Sequence, residues 1–140
     1  MVTKIFLDIN VVLDILDDKR PFHSFAVTLY QFIEANKADA FISESILATT
    51  DYILQKTTGK ETRITLFSEL LDYLQVLPCS NKICRAALQN KFSDLEDALL
   101  YQVAIEHSVD YFITNDKSLK KLSVPGLPVI STNEFLKINW

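Results

Sequence analysis

Four aspartates carry the chemistry that this chain's residue types allow: Asp8, Asp94, Asp97 and Asp116. Asp8 closes the apolar run Lys4-Ile5-Phe6-Leu7, the pattern of a buried strand, and stands directly before a helical stretch. Asp116 lies just beyond Tyr111-Phe112-Ile113, again before a helix. Open α/β sheets bind ligands outside the carboxyl ends of their strands. These two acids, more than a hundred residues apart in the chain, are therefore expected on one edge of the sheet. Asp94 and Asp97 begin another helix, where three-residue spacing places both carboxylates on one face. Capping accounts for Asp94, because acids are favoured at helix N-termini. It accounts less well for Asp97, which is followed by Ala98 and Leu99.

Carboxylates brought together repel, and some of them hold a proton at neutral pH. A divalent cation removes that conflict. Magnesium prefers oxygen ligands, keeps several waters and takes one or two carboxylates directly. Such an ion lowers the pKa of a bound water and stabilises charge on a phosphoryl oxygen during in-line displacement. The residue types thus suit phosphodiester hydrolysis. No Ser or Cys nucleophile with a partnered His is apparent, which leaves a covalent mechanism without support.

The elements that must position these acids follow from periodicity. Strands are expected at Lys4 to Leu7, Ala40 to Ile42, Gln75 to Leu77, Tyr111 to Ile113 and Leu127 to Ile130. Between them run helical segments: Asn10 to Leu16, Phe22 to Ala35, Ser43 to Gln55 (capped by Ser43 or Ser45 and ended by Thr57-Thr58-Gly59), Glu61 to Tyr73, one from Ser80 or Asn81 to about Asn90, Asp94 to His107, and a short basic helix, Lys117 to Leu122. Ser131 or Thr132 caps a closing helix. The expected core faces comprise Phe25, Leu29, Phe32 and Ile33; Ile64, Phe67, Leu70, Leu71 and Leu74; and Leu95, Ala98, Leu99 and Val103, with Tyr52 and Tyr101 as core aromatics. Strands alternating with helices imply a three-layer α/β/α fold around a mostly parallel central sheet. The 140 residues are expected to form one domain, and no repeat or linker interrupts them.

Composition narrows the function classes. Nearly half the residues are hydrophobic, enough for a packed core. The net charge of −4 argues against a protein that grips nucleic acid through phosphate contacts alone, and leaves room for an enzyme that holds cations. Two cysteines, Cys79 and Cys84, are too few for a disulfide framework, and His23 and His107 make no zinc spacing with them. The N-terminus meets Asp8 before a signal-like stretch forms, and no apolar run approaches the ~20 residues needed to cross a bilayer. A cytoplasmic protein without membrane contact is the expectation.

Taken in order, these segments resemble a known pattern. Phe6-Leu7-Asp8-Ile9-Asn10 resembles the opening strand and Asp-x-Asn signature of PIN domains; Asp94-Leu95-Glu96-Asp97-Ala98-Leu99 resembles their central Asp-x-x-Asp-Ala segment. Ile113-Thr114-Asn115-Asp116 is similar to the late Thr-x-Asp segment, and residues 129–136 to the closing strand and helix. The likeness spans nearly the whole chain. PIN domains of this kind are commonly the toxin halves of bacterial VapBC-type toxin–antitoxin pairs, cutting RNA with magnesium or manganese. The resemblance implies metal-coordinating roles for Asp8, Asp97 and Asp116, with Asp94 assisting through water. It also implies that Asn10 orients Asp8 or a metal-bound water and that Thr114 hydrogen-bonds within the site. The implied partners are an RNA substrate, a small antitoxin and a second copy of the chain.

One family position departs from the pattern. An acid, most often Glu, usually stands on the helix after the second strand, and the best register puts Thr49 there. Glu44 is the nearby acid that could reach the site, or else an ordinary first-turn helix acid; Asp51 is the other neighbour. Lys117 and Lys120, with Lys121, are candidates for substrate phosphate because they adjoin Asp116; a solvated face is the alternative. Arg20-Pro21-Phe22 and His23 could touch substrate or serve as an ordinary turn. A phosphatase of the haloacid-dehalogenase type needs a second Asp where Asn10 stands, and a receiver domain needs an acidic pair that is absent. The rival from another class is a catalytically degenerate PIN fold that binds RNA or a protein without cleaving.

Overall fold

A computed structural model of the chain describes residues 2–90, 94–121 and 123–139. Its centre is a parallel sheet of β1 (Thr3–Leu7), β2 (Ala38–Ser43), β3 (Leu74–Leu77), β4 (Tyr111–Ile113) and β5 (Val129–Ile130), in the spatial order β3-β2-β1-β4-β5. Ile5, Phe6 and Leu7 of β1 and Phe112 and Ile113 of β4 have no exposed surface. Continuous apolar runs of this kind belong to parallel strands covered on both faces. Phe6 and Phe112 stack at 5.4 Å across the two central strands, and Tyr101 tilts against Phe112 at 5.5 Å.

The helices are α1 (Ile9–Leu16), α2 (His23–Glu34), α3 (Glu44–Leu54), α4 (Lys60–Leu70), α5 (Asn81–Leu88), α6 (Leu95–Glu106), α7 (Lys117–Lys120) and α8 (Thr132–Asn139). From β1 the chain steps outward to β2 and β3, then returns to lay β4 on the opposite side of β1. Right-handed crossovers put the helices of the outward steps on one face and those of the return on the other. Packing agrees: α1 meets α2 and α3, and α8 meets α2, whereas α5 pairs with α6. The reversal between β1 and β4 is a topological switch point, the place where such sheets open a crevice for ligands.

Two left-handed residues set where strands begin. Asn36 (φ 59°) follows α2, and its amide donates to Ile33 O while the Lys37 amide donates to Phe32 O. Ser108 (φ 55°) repeats the pattern after α6, with the amides of Ser108 and Val109 donating to Ile105 O and Ala104 O. Each is a Schellman stop that satisfies terminal carbonyls and turns the chain into the next strand. Capping is equally local at Ser80, whose Oγ accepts from the Ile83 amide. At α8, Ser131 Oγ accepts from the Glu134 amide and the Ser131 amide donates to Glu134 Oε1, a complete capping box.

The strands and helices lie where periodicity placed them, to within a few residues, and the three-layer expectation holds. Several side-chain faces need correction. Phe25 of α2 is 39% exposed, and the buried face is Ala26, Leu29, Phe32 and Ile33. On α4 only Leu70 is buried, with Ile64 and Leu71 exposed, because the helix rides on the rim and not over the sheet. On α6 Leu95 is exposed and the core face is Ala98, Leu100, Tyr101, Val103 and Ala104. Tyr52 is 66% exposed, against the expectation of a core aromatic, whereas Tyr101 is buried. Ser43 occupies the cap position of α3, yet its Oγ bonds Ser45 Oγ rather than a backbone amide. The amides of Thr57 and Thr58 both donate to Leu54 O and end α3, while Gly59 starts α4 with ordinary negative φ. The basic helix is assigned over Lys117–Lys120; Leu122, which the sequence included in it, lies outside the described residues.

Candidate active site

Asp8 follows the last residue of β1, and its amide donates to Ile113 O at the end of β4, so the backbone itself ties the two strand ends together. Its carboxylate is 2% exposed and hydrogen-bonded on both oxygens. Oδ1 caps α1 by accepting from the Ile9 amide at 2.8 Å; Oδ2 accepts from Thr114 Oγ1 at 2.7 Å and Asn10 Nδ2 at 2.9 Å. Burial raises the Asp8 carboxyl above its ordinary range; the Thr114 and Ile9 hydrogen bonds oppose that, and the charge of Asp116 adds to it.

Thr114 is the hub between the two strands. Its hydroxyl donates to Asp8 and accepts from the Asp116 amide at 3.0 Å and Asn10 Nδ2 at 3.2 Å, which uses its donor and both lone pairs. Asp116 caps α7: Oδ1 accepts from the Ser118 amide and hydroxyl at 2.9 and 2.7 Å. Asp94 caps α6 by accepting from the Asp97 amide at 3.1 Å, which fixes the turn that carries Asp97.

Asp97 is pushed up to about 6, first by burial and then by the charges of Asp8, Asp94, Asp116 and Glu96. Those interactions place Asp8, Asp94, Asp97 and Asp116 in one electrostatic cluster at the carboxyl edge of the sheet. Among the described residues, however, no three His, Cys, Asp or Glu side chains stand close enough to grip an ion directly. The charges of Asp8, Asp94 and Asp116 all act on Asp97, and like charges in such proximity repel. An all-oxygen donor set of this kind suits magnesium or manganese, since a hydrated ion takes one or two carboxylates and keeps its waters.

Glu44 stands apart from this cluster in its effects. It occupies the exposed first turn of α3, and its charge acts on the Cys79 thiol, which burial and the neighbouring Cys84 push up to about 11. Thr49 is half-buried, and Asp51 is held away by Arg63 at 2.7 Å and by Gln55. Lys120 pairs with Glu134, while Lys117 is exposed beside Asp116.

A second polar layer supports the first. Asp14, 2% exposed on α1, pairs with Arg20 Nε at 2.7 Å and accepts from Asn115 Nδ2 at 3.1 Å. Its backbone carbonyl meets His23 Nδ1 at 2.7 Å. The Asn115 amide donates in turn to Asn10 Oδ1 at 3.2 Å. Arg20 and His23, weighed as substrate contacts, thus bind the α1–α2 turn to Asp14. Sequence reasoning missed Asp14 and Asn115. The signal was present in Asp14, the one charged residue within the apolar stretch Ile9–Leu16.

The family model for the PIN domain matches residues 4–118. Ribonuclease VapC1 of Aquifex aeolicus (strain VF5) is 31% identical over 137 residues, covering 94% of this chain and 92% of its own. Among solved structures, VapBC2 from Rickettsia felis bound to a DNA fragment from their promoter matches with a TM-score of 0.69 at 18% identity, over 92% of this chain and 98% of that one. Mycobacterium tuberculosis VapC20, described as a Sarcin-Ricin loop cleaving toxin, also gives 0.69, at 14% identity over 87% and 97% of the two chains. The last two establish likeness of fold. With the family model spanning most of its length and a relative alike over nearly all of it, the chain belongs to the PIN-domain family.

Proposed function

We propose that the protein is a divalent-metal-dependent endoribonuclease, the toxin of a toxin–antitoxin pair, with Asp8, Asp97 and Asp116 as the metal-binding carboxylates. The observation that carries this reading is the convergence of Asp8, Asp97 and Asp116, from three separate elements, into one mutually repelling cluster at the switch point of the sheet. The name of the Aquifex aeolicus relative supports the activity, and the VapBC structure supports the toxin role and an antitoxin partner.

When bound, magnesium or manganese would supply an activated water and charge stabilisation at the phosphoryl oxygen. The chain's own part is positional. Thr114 and Asn10 fix Oδ2 of Asp8, and Asp94 orients the turn bearing Asp97. Burial and the neighbouring acids raise the Asp97 carboxyl to about 6, a repulsion that a bound cation would relieve. In this reading Lys117 contacts substrate phosphate, and Glu44 is a further acid offered from the first turn of α3. Cytoplasmic location and pairing of two copies belong to the same reading; none of the described helices is long and apolar enough to cross a membrane.

The reading is tested by cleavage of RNA with added manganese or magnesium. Activity should appear only with metal and fall at least a hundredfold in Asp8→Asn and Asp97→Asn. One observation favours the second reading, a PIN fold that binds without cutting: Thr49 stands where the family usually has an acid. RNA binding with no metal-dependent cleavage would establish that alternative and sink the first.

A further inference from the structure

Beside Asp116 lies a cavity of about 230 Å³, of whose lining only Lys117 has been given a role in the nuclease reading above. Its walls include Phe22 and Phe25 from the start of α2, Asn115 from the loop after β4, Lys117 from the start of α7, and Thr132 from the start of α8. We propose that this cavity is a nucleobase subsite, which takes one unstacked base of single-stranded RNA next to the scissile phosphate. The inference deepens the nuclease reading and rests on it for the position of that phosphate.

Three independent features select this occupant. Phe22 and Phe25 leave 46% and 39% of their surface exposed, although the chain has a core that could accept them. Exposed aromatic faces beside a nucleic-acid site provide stacking surfaces that tolerate any base. The lining also carries the polar residues Asn115, Ser131 and Asn133, together with Thr132, whose buried Oγ1 has no hydrogen-bond partner among the described residues. An orphaned hydroxyl of this kind costs stability unless something meets it, and a base edge offers both donors and acceptors. Lys117 is exposed, makes no ion pair among the described residues and adjoins Asp116, so it can neutralise the phosphate that accompanies the base. Lys120, in the same wall, is engaged with Glu134 and is not assigned that task. Size fits as well. The cavity falls below the roughly 300–1,000 Å³ of pockets that enclose drug-sized ligands, so it suits a base rather than a whole nucleotide.

The test uses a short single-stranded oligoribonucleotide carrying one 2-aminopurine, bound to the full chain in EDTA so that binding is read without cleavage. Stacking should quench the probe. Phe22→Leu and Phe25→Leu should each restore its fluorescence and weaken binding about fivefold or more, within the range known for base–aromatic stacking. Lys117→Gln should lower the slope of log affinity against log salt by about 0.7. Thr132→Val should weaken binding while leaving the free protein as stable or more stable. Thr50→Val is the control: its hydroxyl is also buried and unpartnered among the described residues, but it lies outside the wall of this cavity. It should leave RNA affinity unchanged.

Wild-type quench and affinity in both phenylalanine variants would overturn the subsite, even if metal-dependent cleavage were intact. Cleavage lost with quench retained would fell the nuclease reading and keep the base-binding cavity. If the phenylalanines instead join two copies of the chain, the same variants would shift sedimentation from dimer to monomer with oligonucleotide affinity unaltered. That result also overturns the proposal.

Discussion

Thr114 Oγ1 donates to Asp8 Oδ2 at 2.7 Å, a bond between residues 106 apart in sequence that joins the carboxyl ends of β1 and β4. The same oxygen receives the amide of Asp116, so one hydroxyl fixes two of the clustered acids relative to each other. Thr114 has no exposed surface, and water has no route to replace the bond.

Thr114→Val should therefore cost more than its small change in shape suggests. It removes a hydrogen bond to a buried carboxylate and orphans the Asp116 amide, a loss of about 2–4 kcal/mol. Thr114→Ser keeps the hydroxyl and should retain most of the stability and of the manganese affinity. Urea denaturation and manganese titration of the two variants check this. Equal behaviour of Val and Ser would show that the hydroxyl does not organise the site.

The Asp97 carboxyl gives a pH dependence with a definite sign. Its pKa rises from 3.8 to about 6 on folding, so the native state holds the proton more tightly than the unfolded chain. As pH climbs from about 4 to 6, the unfolded chain ionises first and metal-free stability falls. Above pH 6 the full penalty persists; below about pH 4 it vanishes. Asp97→Asn should accordingly stabilise the protein in EDTA at pH 7.5, by about 1 kcal/mol or less after solvent screening, with no gain at pH 3.5. With manganese present the order should invert, because the variant gains little from the ion. Thermal melts across pH, with and without metal, test both halves. A destabilised variant in EDTA at pH 7.5 would contradict the repulsion argument.

Much of this was legible in the chain because the strongest signals are local. Apolar runs ending in Asp8 and just before Thr114-Asn115-Asp116 gave the strands, and parallel topology then required their acids to share an edge. Helix starts were readable for the same reason: Ser80, Asp94 and Ser131 bond to amides within three residues. What stayed hidden depends on distant partners. Periodicity gave α4 an apolar face, but not that it packs at the rim, where Ile64 remains exposed. Asn115 draws its importance from Asp14, 101 residues away, and from Asn10. The exposure of Tyr52 and the burial of Tyr101 turn on which face each helix presents to the sheet, and apolar neighbours alone cannot decide that.

The buried pair Asp14–Arg20 supplies a prediction that separates support from chemistry. Asp14 is almost wholly buried and Arg20 is about one-third exposed, so removing either partner strands part of a charge. Asp14→Asn and Arg20→Gln should each cost about 2–3 kcal/mol. The double variant should cost less than the two singles added, by about 1–2 kcal/mol, because one interaction is counted twice. Additive losses in a double-mutant cycle would mean that the pair contributes no coupling. Because Asp14 reaches the clustered acids through Asn115 and Asn10 among the described residues, Asp14→Asn should lower kcat severalfold while metal-dependent cleavage remains detectable.

Tyr101 holds the far side of the site to the sheet edge. Its hydroxyl donates to Leu127 O at 2.7 Å and accepts from the Val124 amide at 3.1 Å, clamping residues 124–127 against α6 one helical turn beyond Asp97. Tyr101→Phe keeps the ring against Phe112 and deletes those two bonds. Neither backbone group regains an equal partner, since Ser123 Oγ reaches Leu127 O only at 3.5 Å. A loss of about 1–3 kcal/mol follows. Because the change is local, hydrogen exchange should accelerate at the Val124 amide, while the amides of Asp8 and Phe112, in the central strands, should follow only the global loss of stability. Manganese affinity should stay near that of the unaltered protein, since Asp8, Thr114 and Asp116 keep their bonds. Uniform acceleration at all three amides would mean that the clamp belongs to the global unfolding unit. Loss of metal affinity would mean that it positions Asp97 as well.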